Sequence, residues 1–501
     1  LRLSKKRVLF GFVLVVIAHL VYFSVFSRQI LEESPESVQY LDRHGAPLRT
    51  RLSADETYMQ KVPISGISPH FLRACVLIED RHFYKHIGIS FTSVFRALFQ
   101  NIRERKIKSG ASTITMQLAK LLKRNRSRTI WNKISEAYYA LKLELHLTKS
   151  EILEAYINRL PFGNMIYGIQ AASRYYFNKN PRDLSLNQAI YLALIPKSPT
   201  LYNPIKHLST LKIRKKWILN AFRKKSLISE DEYQRVLSEG ICFSWRHNPM
   251  IAPHFIEKIE SETAGAALPG KRGKITTTID RQIQIEARGI LSEALDRLQP
   301  YQVKSGAIVI IDNRDQSVIA FIGSPDYFNS KSSGFINYAD ALRQPGSTLK
   351  PFIYALALER GWTLSDIVPD IRFPARGGFF PSNHDGQEHG PLRLRPALAN
   401  SFNIPAFYLA MKLTPAMIID RLQKLGFDYL NQASGFYGET IALGAGEVKL
   451  FDLTVAYSVF AHGGKLIRPT LLKDIRGHST RIFSESSAYL IWHSLADPNA
   501  R

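Results

Sequence analysis

The apolar residues of this chain fall into three kinds of pattern, and each predicts a different element. Over residues 8–26 they are nearly unbroken, a run long enough to cross a bilayer, with Arg2, Lys5, Lys6 and Arg7 before it and Glu32, Glu33 and Glu36 after it. This predicts a transmembrane anchor within 1–30 with its N-terminus in the cytoplasm, since no small-x-small cleavage site follows the run. Further on the spacing becomes helical. Ser68-Pro69 reads as an N-cap and first helical position, Leu72, Val76, Glu79 and Phe83 share one face, and Gly88 stops the helix. Ile130, Ile134, Ala137, Leu141 and Leu145 predict a buried stripe around Trp131. Trp217, Leu219, Phe222, Tyr233 and Val236 predict two amphipathic helices over 208–240. From Lys274 onward the pattern changes again: a β-branched strand over 274–280, an amphipathic helix over 282–298, and a hairpin of 305–312 with 317–323.

Domain limits follow from these shifts. The chain has 501 residues, which suggests two or three domains. We read a linker at 31–62 with a hairpin turn from Asp42 to Pro47, a mainly α domain at 63–240, a second linker at 241–273, and an α/β (α+β) domain at 274–501. The net charge of +25 favours anionic partners. The basic residues are spread widely and no nucleic-acid motif appears, so a membrane surface and a diphosphate fit better than nucleic acid. Cys75 and Cys242 are too few and too far apart for a disulfide framework or a metal site.

Candidate chemistry sits on the helical stretch. Glu79 interrupts an apolar stripe, where partial desolvation favours a general base, although a salt-bridged core carboxylate would look the same. The run Gly110-Ala-Ser112-Thr113-Ile-Thr-Met116-Gln117 opens a helix whose N-terminal amides and dipole suit a phosphate, and Lys120, Lys123 and Arg124 add charge. Before it, the basic loop at 101–110 reads as a mobile lid. Lys133 and Glu136 share a face: either an ordinary surface bridge or a cation and a carboxylate facing a diphosphate. In the second domain, Gln344-Pro-Gly-Ser347-Thr-Leu-Lys350 places a serine and a lysine on one face of a helix bearing Phe352, Ala355 and Leu356. A buried, neutral lysine can there take the serine proton.

EDRHFYKHIG from Glu79 to Gly88, GASTITMQ, NKISE ending at Glu136, and EILEAYIN ending at Asn158 resemble four successive motifs of the peptidoglycan glycosyltransferases, in their order and spacing. The likeness runs on through IYGIQAA and LALIPKSPTLYNP to Pro204. Met116 stands where that family usually has glutamine, and Asn132 where it usually has arginine. Ser347-x-x-Lys350, with Ser401-Phe402-Asn403 downstream and FPSNHDGQEHGPLRLRPALANSFNIPA around it, resembles two of the three motifs of penicillin-binding transpeptidases. The third motif, Lys-Thr-Gly, does not occur, and the region from Leu443 to Gly446 with the helix after it resembles what precedes it; we read the second domain as C-terminally truncated. The whole resembles a class A penicillin-binding protein of the 1C subgroup.

That resemblance implies a lysozyme-like glycosyltransferase domain and a β-lactamase-like serine transpeptidase domain, on the periplasmic side of the inner membrane. It implies polymerisation of lipid II with Glu79 as base, Glu136 at the leaving group, and Asp80, Phe83, His86, Ser112, Thr113, Gln117, Lys120, Lys133 and Asn158 binding substrate. In the second domain it implies Ser347, Lys350, Ser401 and Asn403 as catalytic, cross-linking stem peptides in the full-length protein by D-Ala-D-Ala transpeptidation through an acyl-enzyme, with stem peptides and β-lactams as ligands. Nascent glycan strands and other cell-wall synthesis proteins are the further partners implied. No cofactor is required, though a divalent cation fits at the diphosphate. The competing reading is a membrane-anchored scaffold with decayed sites, which Met116, Asn132 and the missing third motif would support.

Overall fold

The computed structural model describes residues 36–53, 55–90, 112–123, 129–204, 206–244, 249–263, 273–374, 380–473 and 477–500. The apolar run at 8–26 and the basic loop at 101–110 lie outside them, and among the described residues no helix is long and apolar enough to cross a membrane. Two compact units divide the chain, one of 1–38 with 50–248 and one of 39–49 with 249–501. The chain enters through a hairpin, β1 (Val38–Leu41) and β2 (Pro47–Arg51). Its turn is closed by the Asp42 carboxylate, which accepts the amides of His44 and Ala46 at 2.9 and 2.7 Å.

The first unit is helical. After β3 (Tyr58–Met59) come α1 (Pro69–Glu79), α2 (Ile114–Lys123), α3 (Ile130–His146) and α4 (Lys149–Ile157). Next come β4 (Ile166–Tyr167), parallel to β3, then α5 (Ile169–Phe177), α6 (Leu186–Leu194), α7 (Leu208–Lys224) and α8 (Glu230–Ser238). The helix α4 opens on a full capping box between Thr148 and Glu151. The largely buried α6 packs on α1 and α7. Phe71 and Cys75 of α1, Leu118 of α2, Tyr156 of α4 and Leu219 of α7 share one core.

Three expectations are corrected here. The first helix ends at Glu79 and does not reach Gly88: Asp80 leaves helical backbone at φ −158°, and Phe83–Lys85 forms a separate 3-10 turn. The start of that helix is as expected, with Ser68 at the N-cap and Pro69 at the first helical position, although the Ser68 hydroxyl donates to the Leu184 carbonyl at 3.0 Å and not into the helix. The stripe on α3 is turned the other way. Trp131, Ile134 and Leu145 are 79, 55 and 68% exposed, whereas Glu136, Ala140 and Leu143 are buried. Trp217 on α7 is likewise exposed, while Leu219, Phe222, Tyr233 and Val236 are buried.

In the second unit, α9 (Pro253–Glu262) is followed by β5 (Lys274–Thr276), α10 (Arg281–Arg297), β6 (Ile308–Asp312), β7 (Ser317–Ile322) and β8 (Leu342–Arg343). Asp280 caps α10 through its carboxylate, and Ala287 and Leu291 of that helix pack on Ala320 and Ile322 of the β6–β7 hairpin. Then come α11 (Lys350–Glu359), β9 (Ile367–Asp370), β10 (Gly390–Arg393), α12 (Leu394–Ala399) and α13 (Asn403–Leu413). Next are β11 (Val448–Lys449), paired with β8, α14 (Leu450–Ala461) and α15 (Glu485–Ala496). Parts of the two segments read as linkers, residues 39–49 and those from 249 on, belong to this unit. The strand β1 pairs in parallel with β5, Gln39 opposite Lys274, and Phe255, Ile256 and Ile259 of α9 are buried with Phe255 against Phe321.

Candidate functional sites

In the first unit the end of α1, the start of α2 and the inner face of α3 present their polar groups together. Glu79 Oε2 accepts from Gln117 Nε2 at 2.8 Å, and Gln117 Oε1 accepts from the Tyr156 hydroxyl at 3.0 Å. The carboxylate therefore has one fixed donor, itself oriented from α4. Tyr156 is buried, and burial together with the Glu79 charge pushes its phenol well above its ordinary pKa, so it stays a neutral donor. Nothing in the sequence singled out Tyr156; its spacing from Gln117 is 39 residues.

Asp80 is buried and does not face outward. It accepts from the Ile114 amide at 3.2 Å and pairs with His86 Nε2 at 2.8 Å, and His86 Nδ1 accepts from the Gly88 amide at 3.1 Å. Gly88, at φ +89°, lies where an added Cβ would stand 3.0 Å from the Ala140 carbonyl, so the turn packs directly on α3. Lys149 Nζ holds the same turn by donating to the His86 carbonyl at 2.6 Å and pairs with Glu144 at 2.7 Å.

The second part of this site is a cation between a hydroxyl and a carboxylate. Lys133 Nζ donates to Ser112 Oγ at 2.6 Å and to Glu136 Oε2 at 2.5 Å. Glu136 is buried, so the pair is more than a surface bridge. Lys120 is half-buried on α2, and Lys123 lies over the Tyr139 ring at 3.8 Å, its ammonium held below the ordinary lysine pKa by desolvation.

Three expected substrate contacts are structural ties in this structure. Phe83 is fully buried. Asn158 exchanges two hydrogen bonds with the Val62 backbone, at 2.9 and 3.0 Å. Thr113 donates to the Gly88 carbonyl and accepts from the Met116 amide. Of the two departures from the family pattern, Met116 is buried, and Asn132 lies in the first turn of α3 with its amide on the capping Thr129 hydroxyl.

In the second unit Ser347 stands exposed in a 3-10 turn over Gly346–Leu349, before the helix and not inside it. Gly346 takes φ +58° there, and a Cβ on Gly444 would meet its backbone nitrogen at 2.3 Å, so two glycines let the chain from 443 to 446 lie against the serine turn. Tyr457 of α14 fixes the turn by donating to the Thr348 carbonyl at 2.7 Å. Lys350 is 1% exposed. Its Nζ donates to the Ser401 carbonyl, to Ser401 Oγ at 3.2 Å and to Asn403 Oδ1 at 2.7 Å. None of these acceptors is a carboxylate, and burial lowers the lysine pKa to about 8. Phe352, Ala355 and Leu356 are buried behind it, and Ser401 sits in left-handed backbone at φ +55°.

Comparison with known proteins matches one domain model in each half of the chain. A transglycosylase family model matches residues 44–223, and the model of the penicillin-binding protein transpeptidase domain matches 306–496. Penicillin-binding protein 1C of Escherichia coli is 32% identical over 90% of this chain, which spans 58% of that relative's length. Penicillin-binding protein 2D of Bacillus subtilis is 30% identical, with 95% of this chain and 71% of that protein covered. The crystal structure of penicillin-binding protein 1A from Haemophilus influenzae superposes with a TM-score of 0.57 over 92% of this chain and 80% of its own, at 21% identity, which speaks for the fold. With both domain models matched in sequence and a relative of this identity covered over most of its length, the chain belongs to the class A penicillin-binding proteins.

Proposed function

We propose that the first unit polymerises lipid II into glycan strands by inverting glycosyl transfer. The observation that carries this reading is Lys133 held between Ser112 and the buried Glu136. In this reading the acceptor's 4-hydroxyl oxygen attacks the anomeric carbon of the donor sugar, Glu79 takes the hydroxyl proton, and the bond from that carbon to the diphosphate oxygen breaks. Lys133, Lys120 and Ser112 receive the charge on the leaving diphosphate, with Glu136 setting the position of Lys133. No cofactor is required. A divalent cation, where present, would add positive charge at the leaving diphosphate beside Lys133 and Ser112.

The second unit, in the same proposal, cross-links stem peptides. Ser347 Oγ attacks the carbonyl of a D-Ala-D-Ala bond, its proton passes to neutral Lys350, the terminal D-Ala leaves as the amine, and a second peptide's amine then displaces the enzyme from the acyl-serine. β-Lactams would acylate the same oxygen. The apolar run at 8–26 anchors the protein in the inner membrane with both units on the periplasmic side, which suits a lipid-linked substrate.

Two lysines of similar charge separate this reading from a scaffold with decayed sites. Lys133→Ala should depress lipid II polymerisation by one to two orders of magnitude, roughly the loss of a transition-state charge contact. Lys123→Ala, which removes a cation resting on an aromatic ring, should change it only a few-fold. Equal rates for the two variants, or no polymerisation by the parent chain, would count against the proposal. A smaller effect is expected at Tyr156→Phe: polymerisation should fall several-fold with the melting temperature little changed, because the phenyl ring still fills the core while Gln117 loses the donor that orients it toward Glu79.

A further inference from the structure

The stretch between β9 and α13 holds a polar cluster that the acylation chemistry does not use. Asp370 at the end of β9 is fully buried. Asn383 Nδ2 donates to both of its carboxylate oxygens, at 2.8 and 2.9 Å, and to the Gln387 carbonyl at 2.9 Å. His389 donates to Asp370 Oδ2 twice, from its backbone amide at 2.9 Å and from ring Nδ1 at 2.7 Å, while its Nε2 faces Asp385 at 3.2 Å. Both arms end on the Ser401-Phe402-Asn403 segment. Asn383 Oδ1 accepts the amides of Asn403 and Ile404 at 2.8 and 3.2 Å, the first free amides of α13, whose own N-cap residue Phe402 supplies no side-chain bond. The His389 ring stacks on Phe402 with centroids 4.3 Å apart. The Asn403 side chain is fixed in turn by its Nδ2, which donates to the Ser382 carbonyl at 2.8 Å and so leaves Oδ1 to face Lys350.

We infer that Asp370 is a positioning residue for the serine–lysine site: through Asn383 and His389 it clamps Ser401 to Asn403 in the one orientation that presents both residues' oxygens to Lys350. The inference rests on the transpeptidase reading of this unit. A buried carboxylate that accepts from three donors is costly to remove, because each donor is left without a partner. The left-handed backbone at Ser401 closes α12 as a C-terminal cap, with the Ser401 amide on the Leu398 carbonyl at 2.9 Å and the Phe402 amide on the Ala397 carbonyl at 3.1 Å, so the clamp acts on the residues that follow this cap. Beside the carboxylate stand His389, Asp385 and the buried Tyr354, whose phenol is pushed far up by burial and by the Asp370 charge.

The test uses the whole 1–501 chain with Asp370→Asn and Asn383→Ala. Asparagine at position 370 sets an amide NH2 against either Asn383 or His389, donor facing donor. Each variant should slow acylation of Ser347 by a fluorescent penicillin about 10²-fold, the scale expected when a reacting constellation is displaced by about an ångström. The acid limb of the rate should move to higher pH as water reaches Lys350, and hydrogen exchange should rise at the amides of Asn403 and Ile404 while α11 stays protected. Parent-like rate, pH limb and exchange in both variants overturn the inference. Global loss of protection in both overturns it too, since Asp370 would then hold the fold and not the motif. If the parent chain is not acylated, as the lack of a Lys-Thr-Gly motif in this sequence allows, exchange at Asn403 and Ile404 decides: a local rise upholds the clamp, and no change refutes it.

Discussion

Glu79→Gln should lower lipid II polymerisation by about 10²-fold or more while leaving the fold intact. The substitution isolates the proton. A glutamine side-chain oxygen can still accept the Gln117 Nε2 bond that the carboxylate now accepts at 2.8 Å, and the Gln117–Tyr156 link behind it is untouched. Glu79 follows the buried Cys75 and Leu77 at the last turn of α1, so nothing large is removed from the core. What the amide cannot do is take a proton from an attacking hydroxyl. Chain elongation measured on purified lipid II, with the melting temperature as a control, decides the matter. Polymerisation within a few-fold of the parent would remove Glu79 from the role of base and move attention to Asp80, whose carboxylate is already committed to His86 and the Ile114 amide.

Much of this architecture was legible because its residues speak locally. The hairpin turn at Asp42 to Pro47, the helix capped by Asp280 and the β6–β7 hairpin rest on contacts a few residues apart, and each is present. Ser347 and Lys350 were legible for the same reason. The misreadings share a different cause. Periodicity shows that a helix has two unlike faces and not which one its neighbours cover. On α3 the face carrying Glu136 and Lys142 is turned inward, and the apolar one, with Trp131 and Ile134, stays exposed. The first helix stops at Glu79 because Asp80 is bound by a backbone amide 34 residues away. Tyr156 and Asp370 were invisible for that reason as well: a lone tyrosine in an apolar helix and a lone aspartate after a proline acquire meaning only from partners brought in by the fold.

Acylation of Ser347 should depend on pH with a rising limb centred at about 8, and Lys350→Met should abolish that dependence together with most of the rate. Burial disfavours the charged lysine, and its three acceptors are two backbone or side-chain oxygens of Ser401 and the amide oxygen of Asn403, none carrying a charge to restore it. With the pKa lowered to about 8, roughly a tenth of the molecules carry neutral Lys350 at pH 7, against about one in three thousand for an ordinary lysine. The sign follows. Below about pH 8 the amine is protonated and cannot accept the Ser347 proton, so the rate should fall about tenfold per pH unit; above it the rate should level off. Methionine matches the length of the lysine stem and removes the base, and a loss of about 10²–10⁴ in the acylation rate is the scale for general-base catalysis. The measurement is the rate of Ser347 labelling by a fluorescent penicillin from pH 6 to 10, with Ser347→Ala as the blank. A flat profile across that range, or labelling of the methionine variant at near-parental rate, would show that some other group takes the serine proton and that the depressed lysine is only a consequence of its burial.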